Sequence, residues 1–167
     1  LAACVLPALS CAARMAPVVC VHRNDLKQMV QAVRTQAALT HRHPSVLDAA
    51  EFFARTAHLC LNGTPPEEAM LRVVQHRFPD SQMARWVKAG LKSAGEDSVA
   101  AIERFGQSCH TGDLFPGVVH LVARYQNDLR EAVVQAVMAG GDSATRGTVT
   151  ALVLGAWLGR PALPEEW

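Results

Sequence analysis

The sequence predicts an all-α fold, and three observations carry that prediction. Apolar residues recur at intervals of three and four along most of the chain, as on an amphipathic helix, and no segment alternates as a half-buried strand would. Proline, glycine and N-capping residues divide this pattern into about eight helical segments joined by short loops. Half of the 167 residues are hydrophobic and 19% are charged, so the chain can bury a sizeable core and is not disordered.

The first half of the chain contains start signals for three helices. Asn24 is a plausible N-cap for a helix whose apolar stripe reaches Ala37. Pro44, a favoured first-turn residue, begins a second helix that Asn62-Gly63 ends. The segment Thr64-Pro65-Pro66-Glu67 has the pattern of a capping box and predicts a third helix.

The second half of the chain predicts five more helices. Asp80 can cap a helix that runs to Leu91, and Asp97 or Ser98 can cap a shorter helix that Gly106 closes. The remaining helices are expected at about 116–125, 127–139 and 143–159. In the last one, Gly147, Ala151, Gly155 and Gly159 share one face, which predicts close packing against a neighbouring backbone.

Charge and hydropathy argue against two classes of partner. The formal net charge is only +1, so we expect neither nucleic-acid binding nor electrostatic attraction to an anionic membrane. The longest apolar segments are too short, or too interrupted by proline and arginine, to span a bilayer.

The cysteines bear on the cellular compartment of the protein, and the first residue bears on whether the chain is part of a larger protein. Five cysteines, an odd number with no CxxC pair, favour a reducing compartment, and we expect the cytoplasm. Because no initiator Met precedes Leu1, we expect the chain to begin inside a larger protein.

Two loop segments could carry chemistry. In the segment 140–145, Asp142 is either a simple helix N-cap or a ligand of a hard cation such as Mg²⁺, for which one carboxylate and two hydroxyls are few ligands. His41 and His43 lie at a helix-to-helix turn, where they could cap a helix or hold a phosphate together with helix N–H groups. Zinc is disfavoured there because no third or fourth ligand is positioned by sequence.

The segment Ser108-Cys109-His110 has a nucleophile next to a base. Adjacent residues rarely point at each other, and no acid partner is specified by the sequence. A Cys/His hydrolase is therefore disfavoured.

Four segments, in matching order, resemble the ADP-ribosylglycohydrolase family. They are Arg14-Met15-Ala16-Pro17, Leu39-Thr40-His41-Arg42-His43-Pro44, Gly140-Gly141-Asp142-Ser143 and Gly155-Ala156-Trp157-Leu158-Gly159. The resemblance implies a compact, multi-helix orthogonal bundle, cleavage of ADP-ribose from protein side chains or related acceptors, and two Mg²⁺ or Mn²⁺ ions. It also implies that residues 1–167 are the C-terminal part of a single, incomplete domain, because the family's N-terminal acidic motif is absent.

The chain departs from the family pattern at two further places. Ala144 stands where the family's Gly-Gly-Asp-Thr-Asp-Thr motif has its second aspartate, and a methyl group cannot coordinate a cation. The segment Ala8-Leu9-Ser10 stands where the family has Gly-Asn-Gly, which approaches the substrate closely. The first change predicts the loss or weakening of one of the two cation sites.

The resemblance assigns roles to six residues. It makes Asp142 and Thr145 ligands of Mg²⁺ or Mn²⁺, with one ion rather than two if Ala144 removes a site. It makes His41, Ser10, Ser143 and Arg146 substrate-binding residues, His41 through the diphosphate and Arg146 as a further anion ligand. We expect no catalytic residue within this chain.

Three functions follow from the resemblance. The first is metal-assisted hydrolysis of an ADP-ribose glycosidic bond by the full-length protein, acting on an ADP-ribosylated protein or an ADP-ribose-like small molecule. The second is a pseudoenzyme that binds ADP-ribose or a nucleotide without turnover, which Ala144 favours. The third is a structural role like that of the related crystallins.

Overall fold

The computed structural model describes residues 6–167, and across that range the chain forms nine α-helices, two short 3₁₀ helices and no β-strand. The all-α prediction is confirmed. The 3₁₀ helices are Leu9–Arg14 and Arg160–Ala162. The α-helices are α1 Ala16–Val21, α2 Leu26–Ala38, α3 Pro44–Leu61, α4 Pro66–Arg77, α5 Gln82–Lys92, α6 Ser98–Phe105, α7 Thr111–Arg124, α8 Leu129–Met138 and α9 Ser143–Leu158.

Several helix starts differ by one residue from the prediction. The N-cap of α2 is Asp25 rather than Asn24, because Asp25 Oδ1 accepts a 2.9 Å hydrogen bond from Gln28 N. The N-cap of α5 is Ser81 rather than Asp80, which takes a positive φ of 52° in the preceding turn. In both places the neighbouring polar residue has the reach to the third N–H of the helix.

Three other helix starts differ in their cap or their first residue from the prediction. No side chain caps α4, whose N-cap is Pro65, so the predicted capping box from Thr64 does not form. Asp128, one residue after the predicted start at 127, caps α8. Helix α7 begins at Thr111, five residues before the predicted start, and accommodates Pro116 in its interior. The predicted cap at Asp97 is confirmed, since its Oδ1 accepts from Ala100 N at 3.0 Å.

Helices α3 and α7 form the centre of the core. Four aromatic rings meet there: Phe52 and Phe53 lie 5.1 Å apart, each lies 4.8 Å from Phe115, and Trp86 of α5 lies 5.4 Å from Phe115 between ring centroids. Such tilted and edge-on pairs stabilise a core beyond the area that they bury. Trp86 is partly buried and packs against this core.

Helix α9 packs against α8 through Gly147, as predicted, but the packing does not require its glycines. A Cβ at Gly155 would meet no described residue within 4 Å, and one at Gly147 would lie at an ordinary 3.7 Å from Ala136 Cβ. At Gly90 of α5, in contrast, a Cβ would lie 2.6 Å from Val119 Cβ and 2.7 Å from Pro116 O. The glycine that close packing requires therefore lies between α5 and α7.

Two expectations, one about membrane-spanning segments and one about the cysteines, can be compared with the fold. Within residues 6–167, no helix has both the length and the apolar character needed to cross a membrane. Cys11, Cys20, Cys60 and Cys109 are free thiols, while Leu1 and Cys4 lie outside the described residues.

Candidate functional site

Two segments far apart in sequence are joined by backbone pairing at one edge of the fold. Leu9 N donates to Cys109 O at 2.9 Å, and Ala8 and His110 form an isolated antiparallel bridge. Pro7 O accepts both the N–H and the hydroxyl of Thr111, at 2.7 and 2.8 Å. The segment that stands in place of the family's Gly-Asn-Gly is thereby fixed against the start of α7.

The same connection before α7 also holds the diglycine loop that precedes α9. Asp142 N donates to Gln107 O at 2.9 Å, and Gln107 Nε2 donates to Ala139 O at 2.5 Å. Gly141 has a φ of +61°, and a Cβ there would lie 2.1 Å from Gln107 O. Only glycine fits this position, for both conformational and steric reasons.

Asp142 is the N-cap of α9, as one of its two predicted roles requires. Its Oδ1 accepts a hydrogen bond from Thr145 N at 3.1 Å. Thr145 is only 3% exposed, Ser143 is half-buried, and Ala144 is exposed in the first turn of the helix. One carboxylate and two hydroxyls thus lie at this helix start.

These groups do not by themselves fit a divalent cation. Mg²⁺ and Mn²⁺ require about six oxygen ligands in octahedral geometry, of which carboxylates are the strongest. Within residues 6–167, no group of three or more His, Cys, Asp or Glu side chains could hold a metal ion. Ala144 contributes no ligand, and Asp142 Oδ1 is already an acceptor of the helix cap.

A pocket of about 260 Å³ is lined by both Ser10 and His41. Ser10 lies in the first 3₁₀ helix and His41 in the connection between α2 and α3, so α1 and α2 separate them in sequence. Arg14 and Thr40 line the same pocket, and Arg14 Nη2 donates to Thr40 Oγ1 at 2.7 Å. His41 Nδ1 lies 2.9 Å from the same hydroxyl oxygen. One guanidinium, one imidazole and two hydroxyl groups therefore surround a single opening, which suits an anion.

Arg14 is a pocket residue that sequence reasoning did not select. Its signal was present in Arg14-Met15-Ala16-Pro17, one of the segments that carry the family resemblance. The pocket also includes Cys11, but burial raises the pKa of that thiol to about 11, against the smaller opposite effect of the Arg14 charge. The thiol stays protonated at neutral pH and is not a nucleophile there.

Arg146 does not face this pocket. Its side chain is fully buried, with Nη2 and Nε donating to Ala136 O at 2.8 and 3.2 Å, and with Nη2 also donating to Gly140 O. The guanidinium satisfies carbonyl groups at the end of α8 and in the diglycine loop. This burial argues against the predicted contact with substrate, because a ligand in solvent cannot reach the group.

Burial also lowers the pKa of Arg146, although the charge of Asp142 partly offsets that effect. Nη1 is buried without a hydrogen-bond partner in the described structure. Arg146 therefore holds the loop in place from beneath.

His43 and the 108–113 segment have structural roles. His43 Nδ1 accepts from Ser45 N at 3.3 Å as the N-cap of α3, which confirms the capping interpretation for this residue.

Ser108 Oγ donates to Asp113 Oδ2 at 2.5 Å and lies 2.9 Å from His110 Nδ1. Asp113 is an acid that sequence reasoning missed, but its carboxylate accepts from the serine and not from the histidine, so it does not orient a base as a catalytic triad requires.

Comparisons with known proteins place the sequence among its relatives. The sequence model of the ADP-ribosylglycohydrolase family matches residues 2–167. The chain is 26% identical over 157 residues to Crystallin J1A of Tripedalia cystophora, covering 93% of this chain and 47% of that protein. It is also 26% identical over 158 residues to an uncharacterized protein of Archaeoglobus fulgidus, covering 93% of this chain and 50% of that protein.

The chain thus spans about half the length of the curated relatives that it matches. Its helical fold, its diglycine loop before α9 and the family match over nearly every residue lead to one conclusion. This chain belongs to the ADP-ribosylglycohydrolase family.

Proposed function

We propose that the pocket lined by Ser10, Arg14, Thr40 and His41 binds the diphosphate of ADP-ribose. The observation that supports this most directly is the convergence of Ser10 and His41 on one opening beside a guanidinium group. A diphosphate is recognised by charge-assisted hydrogen bonds from Arg and by hydroxyl and imidazole donors, and these are the groups that line the pocket.

The hydrogen bonds inside the pocket leave donors for a ligand. Thr40 Oγ1 accepts from Arg14, so its own proton is available for His41 Nδ1. In that tautomer His41 carries its proton on Nε2 and can donate it to a phosphate oxygen. Arg14 is exposed and bonds Thr40 through Nη2, and its other nitrogens have no partner within residues 6–167, so they can also donate.

We further propose that the full-length protein hydrolyses a glycosidic bond of ADP-ribose. Its substrate would be an ADP-ribosylated protein or an ADP-ribose-like small molecule, and the free thiols favour a cytoplasmic setting. The family generally uses divalent metal ions. Asp142 and Thr145 are our candidates for ligands of one such ion, together with groups from outside the described residues, and Ser143 is a candidate substrate contact.

A specific observation favours a second candidate function, binding without turnover. Ala144 is exposed at the position where the family motif has an aspartate, so the site lacks a carboxylate that this chain could have supplied. The similarity to a protein named a crystallin is also consistent with a structural role. In both alternatives the protein retains the fold but does not hydrolyse the glycosidic bond.

Calorimetric titration with ADP-ribose in the presence of Mg²⁺ tests the binding proposal. We expect saturable binding that weakens about tenfold in His41→Ala and in Arg14→Ala, since each loses at least one hydrogen bond to a charged group. Arg23→Ala is the matched control, because Arg23 is exposed and, within residues 6–167, its side chain bonds only Cys20 O. No binding, or an equal loss in all three variants, would contradict the proposal.

A demodification assay on ADP-ribosylated arginine and serine peptides then separates the two functions. Turnover by the full-length protein supports hydrolysis, while binding without release of ADP-ribose selects the pseudoenzyme. For these 167 residues alone we expect no turnover, and measurable release would contradict our account of the missing ligands.

A further inference from the structure

A second pocket, of about 300 Å³, lies between the start of α2, the C-terminal half of α3 and the C-terminal half of α4. It shares no lining residue with the Ser10 and His41 pocket. Leu59 and Val73 supply apolar surface, whereas Arg55, Arg72 and Arg77 supply positive charge. An opening that is apolar on one side and cationic on the other suits an organic anion.

A single buried carboxylate fixes two of these arginines. Glu51 is 1% exposed, and its Oε1 accepts from Arg55 Nε at 2.8 Å and from Arg77 Nε at 2.9 Å. Its Oε2 accepts from Arg34 Nη1 at 2.8 Å, and Arg34 Nη1 also donates to Asp48 at 2.8 Å. Because both pocket arginines are held through Nε, their planes are oriented before any ligand arrives.

The ends of these two side chains remain available. The Nη atoms of Arg55 and Arg77 make no hydrogen bond or ion pair to any residue within 6–167. Two guanidinium groups fixed on one oxygen atom therefore present four terminal nitrogens. That number of donors can satisfy the three terminal oxygens of a phosphate group.

The ion pairs around this pocket carry a net excess of one positive charge. Within residues 6–167, four arginines pair with three carboxylates: the arginines are Arg34, Arg55, Arg72 and Arg77, and the carboxylates are Asp48, Glu51 and Glu68. Burial alone would raise the pKa of Glu51, but hydrogen bonds and charge from Arg77 and Arg55 outweigh it and lower that pKa. Glu51 therefore stays ionised at neutral pH and keeps the arginines in position.

We propose that this pocket binds a small phosphate monoester with an apolar body, with the phosphate on Arg55, Arg72 and Arg77 and the body against Leu26, Leu59 and Val73. The volume lies at the lower end of the range for ligand pockets, so it suits a body of about one aromatic ring. This site is independent of the proposed ADP-ribose pocket and would remain if that proposal failed.

Titration with phenyl phosphate tests this site, and NMR of the whole chain at low ionic strength monitors the binding. We expect saturable shifts of the Leu26, Leu59 and Val73 methyl signals with a dissociation constant of about 1 mM or below. Inorganic phosphate is expected to bind at least fivefold more weakly, because it does not reach the apolar side. Shifts centred on His41, equal affinity for the two probes, or no saturation would overturn the proposal.

Three variants test the arginines. Arg72→Ala removes a side chain that is 52% exposed and that pairs, among the described residues, only with Glu68, so it leaves the buried Glu51 network intact. Arg77→Lys keeps the charge but loses the planar fork. We expect each to weaken phenyl phosphate binding at least fivefold. Arg85→Ala is an exposed control whose side chain bonds Gln82, and we expect it to leave binding unchanged. Unchanged affinity in Arg72→Ala, or an equal loss in the control, would overturn the assignment.

Discussion

The main-chain N–H of Asp142 donates a 2.9 Å hydrogen bond to the carbonyl oxygen of Gln107. This bond ties the diglycine loop before α9 to the connection between α6 and α7. The same connection pairs with Leu9 through Cys109 O, next to the pocket that contains Ser10. The start of α9 and the wall of the candidate ADP-ribose pocket are therefore positioned by one segment.

Gly141→Ala tests how tightly this loop is packed. The new Cβ would lie 2.1 Å from Gln107 O at a φ of +61°, so we expect the free energy of unfolding to fall by more than about 2 kcal/mol. Gly140→Ala is the control, since its φ is +66° but its Cβ would meet only Gln107 Nε2, at 3.5 Å. It should cost about 1 kcal/mol. Equal losses in urea unfolding would show that the close approach is absent.

Replacement of Asp142 separates its capping role from its charge. Asp142→Ala removes the acceptor for Thr145 N and should lower the free energy of unfolding by about 1 kcal/mol. Asp142→Asn keeps an oxygen acceptor and should cost less than half as much. Thermal or urea unfolding of the two variants checks this, and a larger loss in the asparagine variant would argue against the cap.

Ala144→Asp restores the carboxylate that the family motif carries. Because Ala144 is exposed in the first turn of α9, the new side chain lies near Asp142 without entering the core. We expect Mn²⁺ affinity to rise at least tenfold in calorimetric titration, as a second carboxylate joins the first. Thr148→Asp, one helical turn later and also exposed, is the control. No gain over that control would show that this helix start is not part of a cation site.

The stability of the protein should depend on pH through His120. Burial, followed by the positive charge of Arg124, lowers the pKa of this histidine to about 4 from its ordinary 6.5. Its ring lies between two hydroxyls, with Nδ1 2.8 Å from Ser93 Oγ and Nε2 2.9 Å from Ser98 Oγ. The folded protein thus holds this ring neutral.

Between pH 6.5 and 4 the unfolded chain takes up a proton that the folded chain does not. His120 therefore leaves the free energy of unfolding unchanged above pH 6.5 and lowers it as the pH falls toward 4. The slope approaches about 1.4 kcal/mol per pH unit. His120→Gln cannot take up the proton and should show a shallower loss in urea unfolding across that range. Identical slopes for the two proteins would contradict the assignment.

The fold was largely predictable because its signals are local. Helical periodicity and caps such as Asp97 and Asp142 act within one turn of chain, so a sequence suffices to recognise them. The start of α7 was missed because Pro116 is tolerated in its interior, where an isolated sequence favours a boundary.

The sites were predictable only where the family resemblance covered them. His41 and Ser10 were each selected, but their meeting depends on how the first 3₁₀ helix packs against α3 and α9. No local signal marks Glu51 as buried, because a glutamate in a helical pattern is most often solvent-exposed. Its role follows from three arginines that come from three different helices.

An NMR titration with ADP-ribose that follows the ring signals of His41 and the Nε–H of Arg14 tests the central claim most directly. Our account predicts saturable shifts of both groups at one common dissociation constant, with the main-chain signal of Ser10 shifting alongside them. Saturable shifts located elsewhere on the protein, with these three residues unaffected, would contradict it.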